Sequence, residues 1–599
     1  MKPIWKWIIG IILGLLIIIA AVGWYFSKNW KPLLETKLKE VVHNSTNGLY
    51  SLKYDDLDLN VALGNVTLKT AELIPDSNVY KKMVAAKIAP NARFHIQLEA
   101  LKVKRFNIWD VIKNRKLFIK SISFDSPSIH MMSERHAFND TLQKKETKTL
   151  YDNIKDIFSS VNVRDIKIDN VKFKFSKIEE GKSSDLLLDS IGINVHDVLL
   201  DETSIKDTTR IFYTKMVEVN VPGFEYDLSN GFYKAKFKHL TINTQDQNVL
   251  LTKVEYVPKM SKAEYFKARN QNITMAVMKF DTLRLEKLDF KRMIEYQQTI
   301  AQSVQIKNGS VSLFNDKRYP KKSSSKVGKS PHQLLMKTKQ LIHIDSVFVD
   351  NIDLLYGEYS AKFNKEGTLT FNRANGIITN LTNDSVFLQN HRFMKADLQA
   401  HIMDAGLLKI HFGFDMLSKN GEHTYKGSLG RMNATAFNKI LQPLLNVKIS
   451  SGNIRGVNFD MQGNDTRNWG IFKFDYDHLK VNLESVLGKD ASKTKKGLLS
   501  FVVNNILIND SNPDANEKYT VGKVNYRRVP EHSFFKTLWQ SLLEGIKQCA
   551  GISKEREAKL MGAAENVKEV TSESKKVFQK TGNFIKGMFK KKDKKEKEN

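Results

Sequence analysis

The sequence predicts a mainly β protein: an N-terminal membrane helix, an elongated curved antiparallel sheet forming a groove or trough from repeated strand–helix–strand units, and a helical C-terminal tail. Three observations carry that prediction. Residues 8–26 form an uncharged run of 19, mostly Ile, Leu, Ala and Gly. From Leu52 onward, apolar and polar residues alternate in stretch after stretch, the period of a strand with one buried face. A block of the chain also recurs after 182 positions.

The first element is the anchor. At 1.5 Å per helical residue, 19 residues reach roughly 28 Å, close to the ~30 Å of bilayer hydrocarbon. Leu15 and Leu16 lie at its centre, while Trp5 and Trp7 on one side and Trp24, Tyr25 and Trp30 on the other stand where headgroups would meet them. The run exceeds the ~7–15 apolar residues of a cleaved signal peptide, so an uncleaved span is expected. Lys2 and Lys6 precede it and Lys28, Lys31, Lys37 and Lys39 follow it, so charge alone does not orient it.

Composition narrows the partners. The chain has 599 residues, 41% of them apolar, which suffices for a substantial core. Lys and Arg outnumber Asp and Glu by 94 to 65, so anionic partners are expected: phospholipid headgroups, lipopolysaccharide or nucleic acid. The span favours lipid, and the absence of zinc-finger spacing and RNA-binding aromatic signatures argues against nucleic acid. The single cysteine, Cys549, permits no intrachain disulfide and reads as a small apolar residue on a helix.

After the span, residues 32–44 read as a short amphipathic helix, broken at Asn47-Gly48. Leu57, Leu59, Val61 and Leu63, then Val66, Leu68 and Ala71 beyond Gly64-Asn65, read as a β-hairpin. Over 98–131 a strand with Leu101 and Val103 leads to a short helix with Val111 and Ile112. A strand with Ile122 and Phe124 follows, then a turn at Asp125-Ser126-Pro127-Ser128 and another strand. This arrangement resembles the AsmA family of inner-membrane-anchored bacterial proteins, over most of residues 1–530.

The recurrence needs no family knowledge. Shifted by 182 positions, Leu101, Val103, Phe106, Ile108, Ile122 and Phe124 fall on Leu283, Leu285, Leu288, Phe290, Val304 and Ile306. With one residue deleted, Ile166, Ile168, Asp169, Asn170 and Val171 fall on Val347, Val349, Asp350, Asn351 and Ile352. The expected divisions are a tip and anchor at 1–30, repeat regions at 31–260 and 261–530, and a tail at 531–599. Candidate groove residues are Ile168, Val171 and Phe173 in the first repeat and Val349, Ile352 and Leu354 in the second. Ile449 and Ile454 join them from a Gly-bearing strand after a helix at 434–445, a segment that resembles the late part of AsmA-like domains.

Residues 317–339 carry no acid and read as a mobile solvated insertion, with headgroup contact as its functional alternative. In the tail, Phe534, Phe535, Leu538, Trp539, Leu542 and Ile546 form one helical face, suited either to cap the sheet or to lie on a membrane. Phe584, Ile585, Phe589, Lys590 and Lys591 are candidate membrane-surface contacts.

No catalytic, cofactor-binding or metal-ligating residue is assigned. Gly181-Lys182-Ser183 and Gly328-Lys329-Ser330 lack the upstream glycine of a phosphate loop, and Gly427-Ser428-Leu429-Gly430 is not a nucleophile elbow. His391, His401 and His411 define no ligand geometry. The AsmA resemblance implies a non-enzymatic protein, its N-terminus cytoplasmic and its bulk periplasmic. Such a protein carries or bridges phospholipid between membranes and supports outer-membrane biogenesis, with outer-membrane or other envelope proteins as further candidate partners. The alternative is an anchored scaffold for envelope assembly whose strands close into sandwiches without lipid cargo.

Overall fold

The computed structural model describes residues 39–552, apart from 140–150, 484–507 and positions 41, 45, 61, 156–157, 180–181, 205, 212, 229 and 322–323. The proposed anchor, with Trp7, Leu15, Leu16 and Trp24, and the tail residues Phe584, Ile585, Phe589, Lys590 and Lys591 lie outside the described residues. Among those described, no helix is long and apolar enough to cross a membrane.

The described strands form one long, curved sheet of 24 strands. Five consecutive pairs each share a position, which leaves nineteen positions in a row. Tyr50–Lys53 and Asp56–Asn60 line one side of Asn65–Pro75, which pairs with Ala92–Phe106. The turn expected at Gly64-Asn65 is present; a Cβ on Gly64, at φ 63°, would sit 2.2 Å from the Phe106 carbonyl oxygen, so only glycine fits.

Next come Lys116–Asp125 with Ser128–Glu134, then Ser160–Glu179 and Lys182–Leu200. Broken strands at 214–227 and 233–243 lead through Asn248–Pro258 and Met275–Glu286 to Thr299–Asp316. Ile342–Ser360, Lys365–Thr382, Phe393–Ile402, Gly406–Asp415 and the 423–433 position continue the row. Val447–Gly463, Arg467–Leu483 and Val521–Arg527 complete it.

The expectation of a wholly antiparallel sheet is corrected at two places. Lys116–Asp125 and Ser128–Glu134 run parallel to Ser160–Glu179, and Thr299–Asp316 runs parallel to Ile342–Ser360. Parallel neighbours cannot be joined by a tight turn and need a crossover. Residues 135–159 and 317–341 are those crossovers.

The sequence recurrence is also a backbone recurrence. Left-handed residues appear at Arg105 and Lys287, at Arg115 and Gln297, and at Ser126 and Asn308, each pair 182 apart, then at Asn170 and Asn351, 181 apart. Arg115 and Gln297 close the equivalent helices Ile108–Asn114 and Phe290–Tyr296, which Asn107 and Asp289 cap through side-chain acceptors.

The second crossover corrects the reading of 317–339 as a free insertion. It contains the helix Pro331–Met336 and is gripped by distant residues. Lys326 N–H donates to the Pro530 carbonyl (2.7 Å), and the Asp465 carboxylate accepts from Gly328 N–H (3.1 Å), Gln333 Nε2 (2.8 Å) and Arg528 Nη1 (3.0 Å). A segment poor in apolar residues is fixed here by hydrogen bonds to a buried ion pair, which local composition does not reveal.

Packed cores lie toward the two ends of the sheet. At the N-terminal end Leu57, Leu68, Leu117, Ile119 and Ile122 pack with Tyr80 of the helix Ser77–Ala85 and with Phe158. At the other end Tyr425, Met461, Phe472 and Tyr476 pack with Phe534, Leu538 and Cys549 of the helix Phe534–Cys549. That helix turns its small residues to the sheet, and a Cβ on Gly545 would lie 2.5 Å from Phe472 Cγ.

Candidate functional site: a continuous apolar face

Strand pairing converts the alternation in sequence into one surface. Followed from strand to strand through Cα partners, one row reads Leu57, Leu68, Leu101, Phe124, Ile168, Ile193, Val219, Ile242, Val249, Leu285 and Val304. It continues through Val347, Ile378, Ala396, Phe412, Tyr425, Met461, Gly470 and Val524. All nineteen positions contribute one residue, and none is charged. With strands about 4.8 Å apart the row follows roughly 85 Å of sheet. A second row beside it runs Leu240, Leu251, Leu283, Ile306, Val349, Gly376, Leu398 and Ile410.

The adjacent register, on the opposite face, is polar: Lys102, Ser123, Lys167, Asn194, Glu218 and Asn243 are successive partners. Lys102 pairs with Asp125 at 2.5 Å and Lys167 with Asp169 at 2.9 Å on this side. Successive side chains of a strand point to opposite faces, so the sheet separates the two chemistries over these strands; farther along, the opposite register mixes Arg284, Gln305 and Asp397 with the apolar Phe348 and Ile377.

Two central clusters hold most of the candidate groove residues. Ile168, Val171 and Phe173 pack with Ile129, Leu188, Ile191, Ile193 and Val221. Val349 and Ile352 pack with Phe280, Ile306, Val311, Phe371 and Ala374. Every member of both clusters is a strand residue, so the sheet's own curvature buries Val171 and Ile352 while Ile168 and Val349 stay half-buried. Leu354 is on the same face, between Val311 and Phe371, and is 37% exposed.

Ile449 and Ile454 are placed differently. Both are buried in the C-terminal core with Ala434, Phe437 and Leu441, beneath the segment that ends in the helix Asn438–Leu445. The structure therefore joins five of the eight candidates into two sheet-borne clusters, leaves Leu354 exposed on the same face and puts the last two into a helix-covered core.

The face turns polar toward the end of the strand Ile342–Ser360. Beyond Leu354, the Tyr356 hydroxyl donates to Glu358 Oε2 (2.7 Å), and Lys317 pairs with the same carboxylate. Burial and the neighbouring Glu358 push the Tyr356 pKa up, which keeps its proton in place as a donor. A local recess of about 370 Å³ adjoins the stacked rings of Phe224 and Phe237, 4.9 Å apart.

No set of three or more His, Cys, Asp or Glu side chains converges as metal ligands among the described residues. His391 stacks on Phe387, and His411 pairs with Asp397 on a strand next to that of His401. Cys549 is fully buried, and burial raises its thiol pKa, which makes it a poor nucleophile.

Sequence reading missed the grip on the second crossover. Arg528 and Asp465 form a buried ion pair with side-chain exposures of 2% and 12%, contributed by segments 63 residues apart. No local motif marks either residue. No protein-family model matches the chain, and no curated protein matches it in sequence.

Proposed function

We propose that this protein is a non-enzymatic lipid carrier of AsmA type, in which the central apolar face forms a trough that shelters acyl chains. The observation that carries this reading is the uncharged nineteen-residue row, flanked in its central part by two clusters made of strand side chains alone, with Phe290 and Met293 of the short helix Phe290–Tyr296 packing on Val249 and Leu285 between them. Apolar surface released from water contributes about 25 cal/mol per Å², and an acyl chain lying along the row supplies that contact from outside the protein. On this reading residues 8–26 anchor the chain in the inner membrane, the bulk is periplasmic, and the trough supports outer-membrane biogenesis by passing phospholipid between membranes.

A single sheet with one apolar face supports carriage over the scaffold reading, which requires two sheets closed face to face. The test is lipid bound to the purified full chain. Ile168→Asp together with Val349→Asp is expected to lose the phospholipid that the unsubstituted chain retains beyond its detergent-exchangeable annulus, with the fold intact by circular dichroism. Equal retention in the two proteins would refute the trough.

A further inference from the structure

The second crossover and the start of the C-terminal helix form a mixed surface that the trough does not use. Lys326 N–H donates to the Pro530 carbonyl and Arg528 Nη2 to the Lys326 carbonyl (2.8 Å), so Val327 and Val529 flank one junction. Both are exposed, at 41% and 38%. One turn further on, the helix Phe534–Cys549 buries Phe534, Thr537, Leu538 and Ser541 and leaves Phe535 65% and Trp539 38% exposed. Aromatic side chains of that size left in water on one helix flank are unusual without a partner.

The charge around them is predominantly positive. Residues 317–341 hold seven lysines, one arginine and no acid. Lys317 and Arg318 have carboxylate partners in Glu358 and Asp316. The ammonium groups of Lys326, Lys329 and Lys337 instead contact Ser324 Oγ, Ser325 O and Gly328 O. Lys536 is solvent-exposed and faces Lys317 and Lys321 as well as Glu358; partial desolvation, then the two lysines, lowers its pKa.

We propose that this surface docks on an anionic bilayer, with Phe535 and Trp539 entering the headgroup layer and Lys321, Lys329 and Lys536 facing lipid phosphates. Exposed Trp and Phe interleaved with lysines match a membrane interface, where rings sit at headgroup level and each base near the surface adds to binding. The occupant is independent of what the trough carries. The contact would give the molecule a second membrane attachment, more than 500 residues along the chain from residues 8–26.

The test holds the full chain in phosphatidylcholine nanodiscs and measures capture of separate fluorescent vesicles. Vesicles of phosphatidylcholine with phosphatidylglycerol should be captured, and vesicles of phosphatidylcholine alone should not. Phe535→Ser with Trp539→Ser should weaken capture at least about tenfold, and each of the charge reversals Lys321→Glu, Lys329→Glu and Lys536→Glu by at least about fivefold. The charge variants involve exposed side chains, so they report even if the aromatic pair perturbs the helix. Capture unchanged in both sets would overturn the proposal and assign the vesicle contact to another part of the chain. A concentration-dependent dimer abolished by the same substitutions would overturn it in favour of a second copy of this protein.

Discussion

Asn170 and Asn351 adopt the same left-handed backbone, φ 53° and 54°, at equivalent places in two strands 181 residues apart. Each sits in a bulge: pairing shifts register between Ile168 and Val171 in one strand and between Val349 and Ile352 in the other. In an unbroken strand, residues three apart face opposite sides; the extra residue brings both onto the apolar face. The repeated asparagine thus keeps the apolar face continuous along each strand on either side of its bulge.

Asn351 also donates from Nδ2 to Asn308 Oδ1 (2.9 Å) and receives an Asn375 Oδ1 acceptor at its own N–H (3.0 Å). A β-branched residue in the left-handed region costs about 1–2 kcal/mol. Asn351→Val should therefore speed hydrogen exchange in Ile342–Ser360 and Lys365–Thr382, while Asn351→Gly, free of the Cβ conflict, should change it much less. Equal exchange in the two variants would show that the left-handed conformation carries no cost.

Asp465→Asn removes the counter-charge from the buried Arg528 guanidinium. Breaking a buried pair from one side costs about 3–5 kcal/mol, and the same carboxylate holds Gly328 and Gln333. Faster exchange and proteolysis over residues 324–337 are expected, with the strand Ser160–Glu179 unaffected. Protection of 324–337 at the unsubstituted level would remove Asp465 from its role.

The same junction should weaken in mild acid. His332 is buried with neither ring nitrogen hydrogen-bonded, and burial, then the neighbouring His423, lowers its pKa to about 4. Burial lowers the pKa of His423 as well, against Asp465 and beside Arg528. A histidine with a depressed folded pKa is neutral when folded and takes up its proton on unfolding. Its stabilisation is full above the unfolded value of about 6.5 and is lost as pH falls toward the folded one. The thermal transition of the C-terminal core should drop between pH 6.5 and about 4, and His332→Phe should flatten that drop. A transition independent of pH over this range would contradict it.

Gly545→Val places side-chain atoms against Phe472, where a Cβ alone approaches Cγ to 2.5 Å. Overpacking of this kind costs about 1–3 kcal/mol, and the strain should lift the helix. Cys549, buried against the Phe472 carbonyl, should become accessible to a thiol reagent in Gly545→Val and stay inert in the unsubstituted chain.

Alternation made the strands and the apolar face legible, because a half-buried strand writes its burial with period two. Recurrence after 182 positions made the paired helices legible and aligned Asn170 with Asn351, but the bulges at these asparagines show only in the strand pairing. Parallel pairing was not legible, since Ile306 meets Val349 and Phe124 meets Ile168 only through crossovers whose direction composition does not encode. Nor was the fate of Ile449 and Ile454: they share the alternation of Ile168, and only the helices folded over them close that end. Ile454→Asp should accordingly unfold the C-terminal core rather than clear a trough.

The central claim is that lipid lies on one face of the sheet, and position-specific photocrosslinking in cells tests it most directly. A benzoyl-phenylalanine in place of Val349 or Ile168 should crosslink to phospholipid, and one in place of Lys167 or Asp350, on the polar face, should not. Equal crosslinking from both faces, or none from Val349 and Ile168, would contradict the account.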